Sequence, residues 1–295
     1  MDQIQINKEK AKNLTAKVAH QIREFRYENM PEELLARGRQ VLIDGIAVAV
    51  AGAKQEEPSR ILAANAKEYG GYEQASVIGL GFKTSMDHAA MINGASNMSD
   101  LNENRFHPPA MIGPLGATVA SAHLLDLNEM QIRNALGIVT SRCGGSWINV
   151  GTHTKCLHCG QASFVGLDSA LLASRNYTAN PNAFEAERGF IDCFLKWEKF
   201  DADILLRYGK RFRIVDPGYE IKIYPSNFGT HAGINAALEL RPRIKNIDDI
   251  VSIREESVNQ PYCNRPYPES GLSGKFSHQY TVVRALLDGF VNLDS

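Results

Sequence analysis

Three short segments combine cationic side chains with glycine or proline, and their residue types define the chemistry that this chain offers. Lys155 and His158 lie in residues 151–166, which read Gly-Thr-His-Thr-Lys-Cys-Leu-His-Cys-Gly-Gln-Ala-Ser-Phe-Val-Gly. His107 precedes a Pro-Pro pair, and Lys222 stands in the sequence Ile-Lys-Ile-Tyr-Pro. Cations close to a helix N-terminus provide a place where a carboxylate binds. Three such turns on one chain predict a site for a small molecule with several negative charges.

Each of these side chains has a functional and a purely structural interpretation. His107 is the best candidate for general acid–base chemistry, because the ordinary pKa of histidine lies near neutrality, although a histidine before Pro-Pro also suits a rigid loop. Lys155 is the best candidate for a carboxylate anchor, against the alternative of a solvated loop lysine. Lys222 is a second anchor or a surface residue of a strand. His158 is predicted to orient Lys155, and His231 to cap or pack its own helix.

Five cysteines in 295 residues predict reduced thiols in a cytosolic compartment. Cys156 and Cys159 form a Cys-x-x-Cys with His153 and His158 beside them, a pattern that also occurs in zinc and redox sites. No second Cys-x-x-Cys or His-x-x-x-His accompanies it in the sequence, so we interpret both thiols as packing residues. We therefore expect no metal, no iron–sulfur cluster and no other cofactor.

Length and composition place the chain among ordinary globular proteins and argue against several partners. The chain is long enough for one large domain or two ordinary ones, with 44% hydrophobic and 22% charged residues. A formal net charge of −1 gives no support for binding nucleic acid or an acidic membrane. No stretch is apolar for long enough to span a bilayer, and the N-terminus lacks a signal core. We therefore expect a cytoplasmic protein.

Apolar periodicity predicts mostly helices, with proline and acids at their starts and glycine at their ends. The predicted helices cover residues 14–25, 31–52, 58–69, 85–97, 113–125, 128–140, 162–175, 230–240 and 277–290, with a short helical turn at 182–187. The predicted strands cover residues 75–81, 212–215, 219–224 and 250–256.

This order of elements predicts a mainly α fold, in which an all-helical domain is followed by a smaller α+β domain. We place the helical domain at residues 1–187 and a lid-like α+β domain at residues 188–274. The last helix, within residues 275–295, is predicted to return to the helical domain.

The order of the motifs gives the chain a family resemblance that runs from about residue 12 to the C-terminus. The sequence Lys155-x-x-His-x-Gly resembles the first lysine motif of the MmgE/PrpD family, and Lys222-x-Tyr-Pro resembles its second. The sequence Phe-Ser-x-x-Tyr, which contains Ser277 and Tyr280, resembles the later helix motif of the family. Several motifs in the same order make the resemblance specific to the family but not to one activity.

The resemblance implies an MmgE/PrpD-like fold and an enzyme that acts on small di- and tricarboxylic acids without an iron–sulfur cluster. The family includes 2-methylcitrate dehydratases, cis-aconitate decarboxylases and iminodisuccinate epimerases. Asp100 or His107 would exchange the proton, while Lys155 and Lys222 would hold carboxylates. The candidates for substrate binding are His158, Tyr280 and Ser277, although core packing explains the last two equally well.

The chain departs from the family pattern between residues 97 and 107. The family signature His-x-x-Asp-x-Asp-Asp corresponds to residues 97–103, where Asp100 is retained, and a single His-Pro at His107 replaces two. The chain therefore resembles a relative shortened by an internal helical segment and at the C-terminus. The missing segment would leave apolar faces near residues 41–50 and 167–173 for a partner to cover. We expect a homodimer, as the resemblance also implies.

Three functions remain open from the sequence. The first is a cofactor-independent lyase, either a dehydratase or a decarboxylase, acting on a small acid such as 2-methylcitrate or cis-aconitate. The second is an epimerase of an iminodisuccinate-like acid, which removes one proton and delivers another on the opposite face. The third is a shortened, non-catalytic relative that acts through a partner.

Overall fold

The computed structural model describes residues 2–95, 106–210, 212–218, 220–257, 260–293 and 295, with only the backbone of residues 94 and 95. The chain divides into two compact units, residues 1–219 and 220–295, and each has its own hydrophobic core. The described part contains thirteen α-helices and one two-stranded sheet, which confirms the mainly α fold. None of the described helices is both long and apolar enough to cross a membrane.

The described part of the first unit consists of ten helices and one β-hairpin. The helices are α1 (Gln3–Lys10), α2 (Leu14–Glu24), α3 (Glu32–Gln55), α4 (Glu57–Tyr69), α5 (Met86–Ala95), α6 (Pro108–Leu124), α7 (Glu129–Thr140), α8 (His153–Ser174), α9 (Phe190–Phe194) and α10 (Ala202–Leu205). The strands β1 (Ala75–Val77) and β2 (Phe82–Thr84) pair in antiparallel orientation, which confirms the strand predicted near residue 75.

The main core of the first unit is formed by apolar faces of α2, α6, α7, α8 and α9. Local sequence signals open several of these helices. At α7, for example, the Asn128 side chain accepts a hydrogen bond from the Gln131 backbone N–H, and the Gln131 side chain accepts one from the Asn128 N–H. This reciprocal pair satisfies two N–H groups that a helix start leaves without partners.

Helix α8 is central to the first unit, because α5, α6 and α7 all pack against it. Small residues let the backbones of α6 and α8 approach closely. A Cβ on Gly166 would lie 2.4 Å from Cβ of Ala117, and one on Gly113 would lie 3.0 Å from Cβ of Ala162. This close crossing fixes the N-terminal half of α8 beside the start of α6.

The second unit is organised around two packed helices. Its described helices are α11 (His231–Leu240), α12 (Gly271–Gly274) and α13 (His278–Asp288). Helices α11 and α13 share a core that contains Ile234, Val282 and Leu286. Arg241, which follows α11, also binds to the C-terminal turn of α13, because its guanidinium donates a hydrogen bond to the carbonyl oxygen of Leu286 at 2.8 Å.

The strands predicted at 212–215, 219–224 and 250–256 are wrong for the residues that the structure describes there. Residues 214–218 form one irregular helical turn, and residues 220–224 and 250–256 have no strand partner. Ile221 and Ile223 are exposed, so their alternation does not mark a buried sheet face. A strand needs a neighbour for its backbone hydrogen bonds, and an alternating pattern alone does not provide one.

The structure divides into compact units between residues 219 and 220, whereas the sequence placed domain boundaries at residues 187 and 274. Phe190, Ile191 and Trp197 belong to the core of the first unit, so this unit continues past residue 187 to 219. Helix α13 packs against α11 in the second unit. The functional domain assignment, including a lid role for residues 188–274, stays a prediction.

Candidate active site

A buried pair of histidines lies where α6 begins beside α8. The Nδ1 atoms of His107 and His158 are 3.1 Å apart, and their ring centroids are separated by 5.2 Å. His107 is 0% exposed and His158 is 6% exposed. The ring of Trp147 meets His107 edge-on, with the centroids 5.8 Å apart. The structure thus brings together two residues that are 51 positions apart in the sequence.

His107 is held by the segment that connects α7 to α8. It occupies the N-cap position of α6 without a capping hydrogen bond from its side chain, and its backbone N–H donates to the carbonyl oxygen of Gly145 at 2.9 Å. Pro114 lies inside α6 and has no N–H for the carbonyl of Ala110, four residues earlier. That carbonyl instead accepts a hydrogen bond from the Gly144 N–H at 3.0 Å. The proline therefore frees an acceptor that ties the connecting segment to the start of α6.

Residue 145 has to be a glycine, because the backbone there passes very close to the ring of His158. A Cβ on Gly145 would lie 2.5 Å from Cβ of Ala110 and 3.0 Å from Nε2 of His158, distances that a side chain does not accommodate. Gly145 and Trp147 were not predicted as neighbours of the histidine pair. The Gly-Gly pair at 144–145 followed by a tryptophan was the signal that could have identified this segment.

Lys155 is buried in the first turn of α8 and is only 2% exposed. The structural alternative of a solvated loop lysine is therefore wrong. The helix was predicted to begin near residue 162, but it begins at His153. Gly160 suggested a turn before the predicted helix, whereas it is buried inside the helix, as is Gly166. Gly166 lies at the crossing with α6, where the small residue permits close packing.

Lys155 and His158 lie on the same side of α8, because residues three apart in a helix are neighbours on its surface. Burial lowers the pKa of His158, which favours the neutral form of its imidazole. A neutral imidazole has one nitrogen that donates and one that accepts. The first unit therefore places a buried primary amine one helical turn from a ring that lies within hydrogen-bond distance of a second imidazole.

The second lysine motif lies in the second unit on irregular backbone. Lys222 is exposed, and the Tyr224 hydroxyl donates to Oδ1 of Asn235 at 2.6 Å. His231 is 7% exposed, and its ring meets that of Tyr224 with centroids 5.1 Å apart. Burial, and secondarily the charge of Lys222, lowers the pKa of His231. The packing interpretation of His231 agrees with these contacts.

The hydroxyl of Ser277 is occupied by local hydrogen bonds in the second unit. It accepts from the Tyr280 backbone N–H at 3.0 Å, which caps α13, and donates to the carbonyl oxygen of Arg265 at 2.6 Å. The Tyr280 side chain is half-buried. Next to them, Nδ1 of His278 lies 3.0 Å from Oε1 of Glu255, a contact that no sequence pattern predicted.

Asp100 lies outside the described residues. The structure joins His107 to His158 and puts Lys155 on the same helix as His158, while Lys222, Ser277 and Tyr280 belong to the second unit. A functional role for each of these residues remains a prediction. A surface cleft of about 890 Å³ in the first unit is lined by α1 and residues 182–197, and it contains none of the predicted site residues.

The five cysteines are not joined by disulfides. Cys156 is buried and Cys159 is half-buried, both on α8. Among the described residues, no group of three or more histidine, cysteine, aspartate or glutamate side chains is arranged to hold a metal ion. Burial raises the pKa of Cys143 to about 11, which keeps that thiol protonated and unreactive.

Comparison with protein families gives matches over most of the chain. The model of the MmgE/PrpD N-terminal domain matches residues 16–99 and 96–203, and that of the MmgE/PrpD C-terminal domain matches residues 224–295. The two N-terminal matches meet at residues 96–99. That junction falls at the start of the stretch where the sequence departs from the family signature.

Similar curated proteins include three cis-aconitate decarboxylases. That of Homo sapiens is 29% identical over 211 residues, which are 70% of this chain and 43% of the relative. That of Mus musculus is 29% identical over 198 residues, 65% of this chain and 40% of the relative. That of Aspergillus terreus is 25% identical over 248 residues, 78% of this chain and 49% of the relative. The chain thus spans less than half the length of these relatives.

Proposed function

The chain belongs to the MmgE/PrpD family, and from this premise we propose that it is a lyase for a small di- or tricarboxylic acid of the cis-aconitate type. The names of its similar proteins favour decarboxylation, and dehydration is the neighbouring reaction in the same class. Both reactions need a cation for a carboxylate and a group that exchanges a proton.

The observation that carries the proposal is a buried lysine one helical turn before a buried imidazole pair. Lys155 is 2% exposed, and an ammonium group screened from water attracts a carboxylate more strongly than one in bulk solvent. His158, three residues later, contacts His107, and imidazoles exchange protons near neutral pH. A carboxylate held by Lys155 would therefore lie close to a proton carrier.

In the decarboxylation, the bond from the substrate carbon to the leaving carboxylate breaks and CO2 departs. The electron pair stays on the substrate, and His107 delivers the proton that completes the reaction. Lys155 neutralises a carboxylate that the product keeps. Asp100 remains an alternative proton carrier, and the anchoring role of Lys222 remains a separate prediction. In a dehydration, the same base would remove a proton beside a carboxylate while hydroxide leaves.

Product analysis by proton NMR tests this proposal. The purified chain is incubated separately with cis-aconitate, 2-methylcitrate, citrate and iminodisuccinate. We expect decarboxylated or dehydrated product from at least one acid, and a rate lower by about 10²–10⁴-fold for His107→Gln. His20→Gln is the matched control, because the His20 side chain is 64% exposed. Epimerised product alone would favour the epimerase, and no conversion by folded protein would contradict the proposal.

A second candidate function, action through a partner, is favoured by the apolar surface of α3. Leu42, Ile43 and Ile46 are 66%, 69% and 53% exposed, which is more than isolated surface residues explain. A second copy of the chain is the occupant that we propose, since a two-fold dimer is the commonest closed assembly. Light scattering that gives the monomer mass at micromolar concentration would contradict the dimer.

A further inference from the structure

The two imidazoles of the candidate site meet through the same ring atom on each side. Their Nδ1 atoms are 3.1 Å apart, and a hydrogen bond needs one donor and one acceptor. Two neutral rings satisfy this contact only if one Nδ1 carries a proton and the other does not. The tautomer of one histidine therefore dictates that of the other.

The surrounding backbone keeps both rings in this arrangement. His107 is fixed by its position before Pro108 and by its N–H bond to the Gly145 carbonyl. His158 projects from α8, and its Nε2 edge lies against Gly145, where there is no space for a Cβ. Trp147 covers the His107 ring edge-on. Neither ring therefore turns to a new partner without moving the connecting segment.

Proton exchange at His107 is easiest if its Nδ1 is the donor in the pair. A protonated His107 carries N–H on both nitrogens, so the contact survives only if His158 accepts. If neutral His107 already donates from Nδ1, a proton that arrives at or leaves Nε2 changes no hydrogen bond within the pair. Burial lowers the pKa of His158, which favours the uncharged ring that is able to accept.

We infer that His158 is a positioning residue: its Nδ1 accepts from the Nδ1–H of His107 and fixes the tautomer in which Nε2 of His107 exchanges the proton. An acceptor on one ring nitrogen orients a catalytic histidine in the same way in serine hydrolases, where it is a carboxylate. His158 supplies that acceptor without a charge. An uncharged acceptor stabilises the imidazolium less, which suits a residue that must give its proton up again. The catalytic part of this inference rests on the proposed function.

Nitrogen-15 NMR of the histidine rings tests the inference without requiring activity. The chain has eight histidines, and the signals of the pair are assigned by their loss in His107→Gln and His158→Asn. Above the ordinary histidine pKa, we expect a proton on Nδ1 of His107 and none on its Nε2. His158→Leu removes the acceptor and should give a mixture of both tautomers. His158→Asn keeps an oxygen near the position of Nδ1 and should preserve the Nδ1–H tautomer.

Three results would overturn the inference: an Nε2–H tautomer of His107 in the wild type, an unchanged tautomer in His158→Leu, or a lost Nδ1–H in His158→Asn. If His158→Leu does not fold, the wild type and His158→Asn still decide. With an active chain, we expect His158→Leu to lower kcat at least about tenfold with little change in KM, and His158→Asn to restore most of it. If the tautomer is as expected but no turnover is detected, the proposed function is contradicted and the inference about the tautomer of the histidine pair is retained.

Discussion

Helices α3 and α8 are similar in length, with 24 and 22 residues, but they are covered very differently. Helix α8 is buried at positions along its whole length, because α5, α6 and α7 surround it. In α3 the buried residues are Ala49, Gly52 and Ala53, all near its C-terminal end. Polar side chains such as Lys155 are thus buried on α8, while large apolar side chains such as Ile43 are exposed on α3.

The buried positions of α8 suit a role in the candidate site, whereas the exposed apolar positions of α3 suit contact with a partner. On α8, small residues at the crossing with α6 bring the backbones together, and that proximity fixes His158 against His107. On α3, the apolar side chains of Leu42, Ile43 and Ile46 are each more than half exposed. We therefore propose that α8 carries the chemistry and that α3 carries the assembly.

The same substitution in the two helices should have opposite effects. In Gly166→Ala on α8, the new methyl group would lie 2.4 Å from Cβ of Ala117 and 2.8 Å from the Thr118 backbone nitrogen. We expect this overpacking to lower the free energy of unfolding by about 1–3 kcal/mol. In Gly38→Ala on α3, no atom lies within 4 Å of the new methyl, and the gain in helix propensity should stabilise by about 0.5–1 kcal/mol. Denaturant unfolding of both variants measures the change in the free energy of unfolding, and changes of the same sign would contradict the packing argument.

A charge on the uncovered face should break the assembly and spare the fold. Ile46→Asp places a carboxylate on the α3 surface. If a dimer buries Ile46, the isoleucine side chain would contribute about 1.5–3 kcal/mol to the free energy of association. We expect light scattering to shift from dimer to monomer mass, while the helical circular dichroism signal of the folded chain stays nearly constant. Val251→Asp is the matched control, since Val251 is 98% exposed in the second unit. A variant that remains dimeric would place the interface elsewhere.

Acidification should destabilise the protein through its buried histidines. Burial lowers the pKa of His158, His123 and His231 in the folded state, while the unfolded chain titrates near the ordinary value of about 6.5. The unfolded state then binds more protons than the folded state does. The stabilisation that these histidines provide is therefore complete above about pH 6.5 and is lost as the pH falls below that value. Each group adds a slope of at most about 1.4 kcal/mol per pH unit. His158→Asn should flatten the dependence of unfolding free energy on pH, and an unchanged slope would contradict the burial argument.

Sequence patterns predicted the helices well because apolar spacing and capping residues are local properties. Helix α2 begins at Leu14 as expected, and Asn128 caps α7. The start of α8 was missed because Gly160 suggested a turn, whereas close helix packing, a non-local property, allows it inside the helix. The strand predicted at residues 219–224 failed for a similar reason, since the pattern did not reveal whether a partner strand exists.

The candidate site was only partly predictable for the same reason. The residue types of Lys155 and His107 by themselves indicate anion binding and proton exchange. Their burial, and the contact between His107 and His158, depend on the α6–α8 crossing and on the hydrogen bonds of Gly144 and Gly145. These features connect residues far apart in the chain, so no local sequence pattern predicts them.

The measurement that tests the central claim most directly is calorimetric binding of cis-aconitate to the wild type, Lys155→Met and Lys83→Met. Methionine keeps most of the volume of the buried side chain and removes its charge. Lys83 is an exposed residue of β2 and serves as the matched control. We expect Lys155→Met to lose about 2–5 kcal/mol of binding free energy, while Lys83→Met binds as the wild type does. Equal affinity of all three proteins, with Lys155→Met folded, would contradict the assignment of Lys155 as the carboxylate anchor.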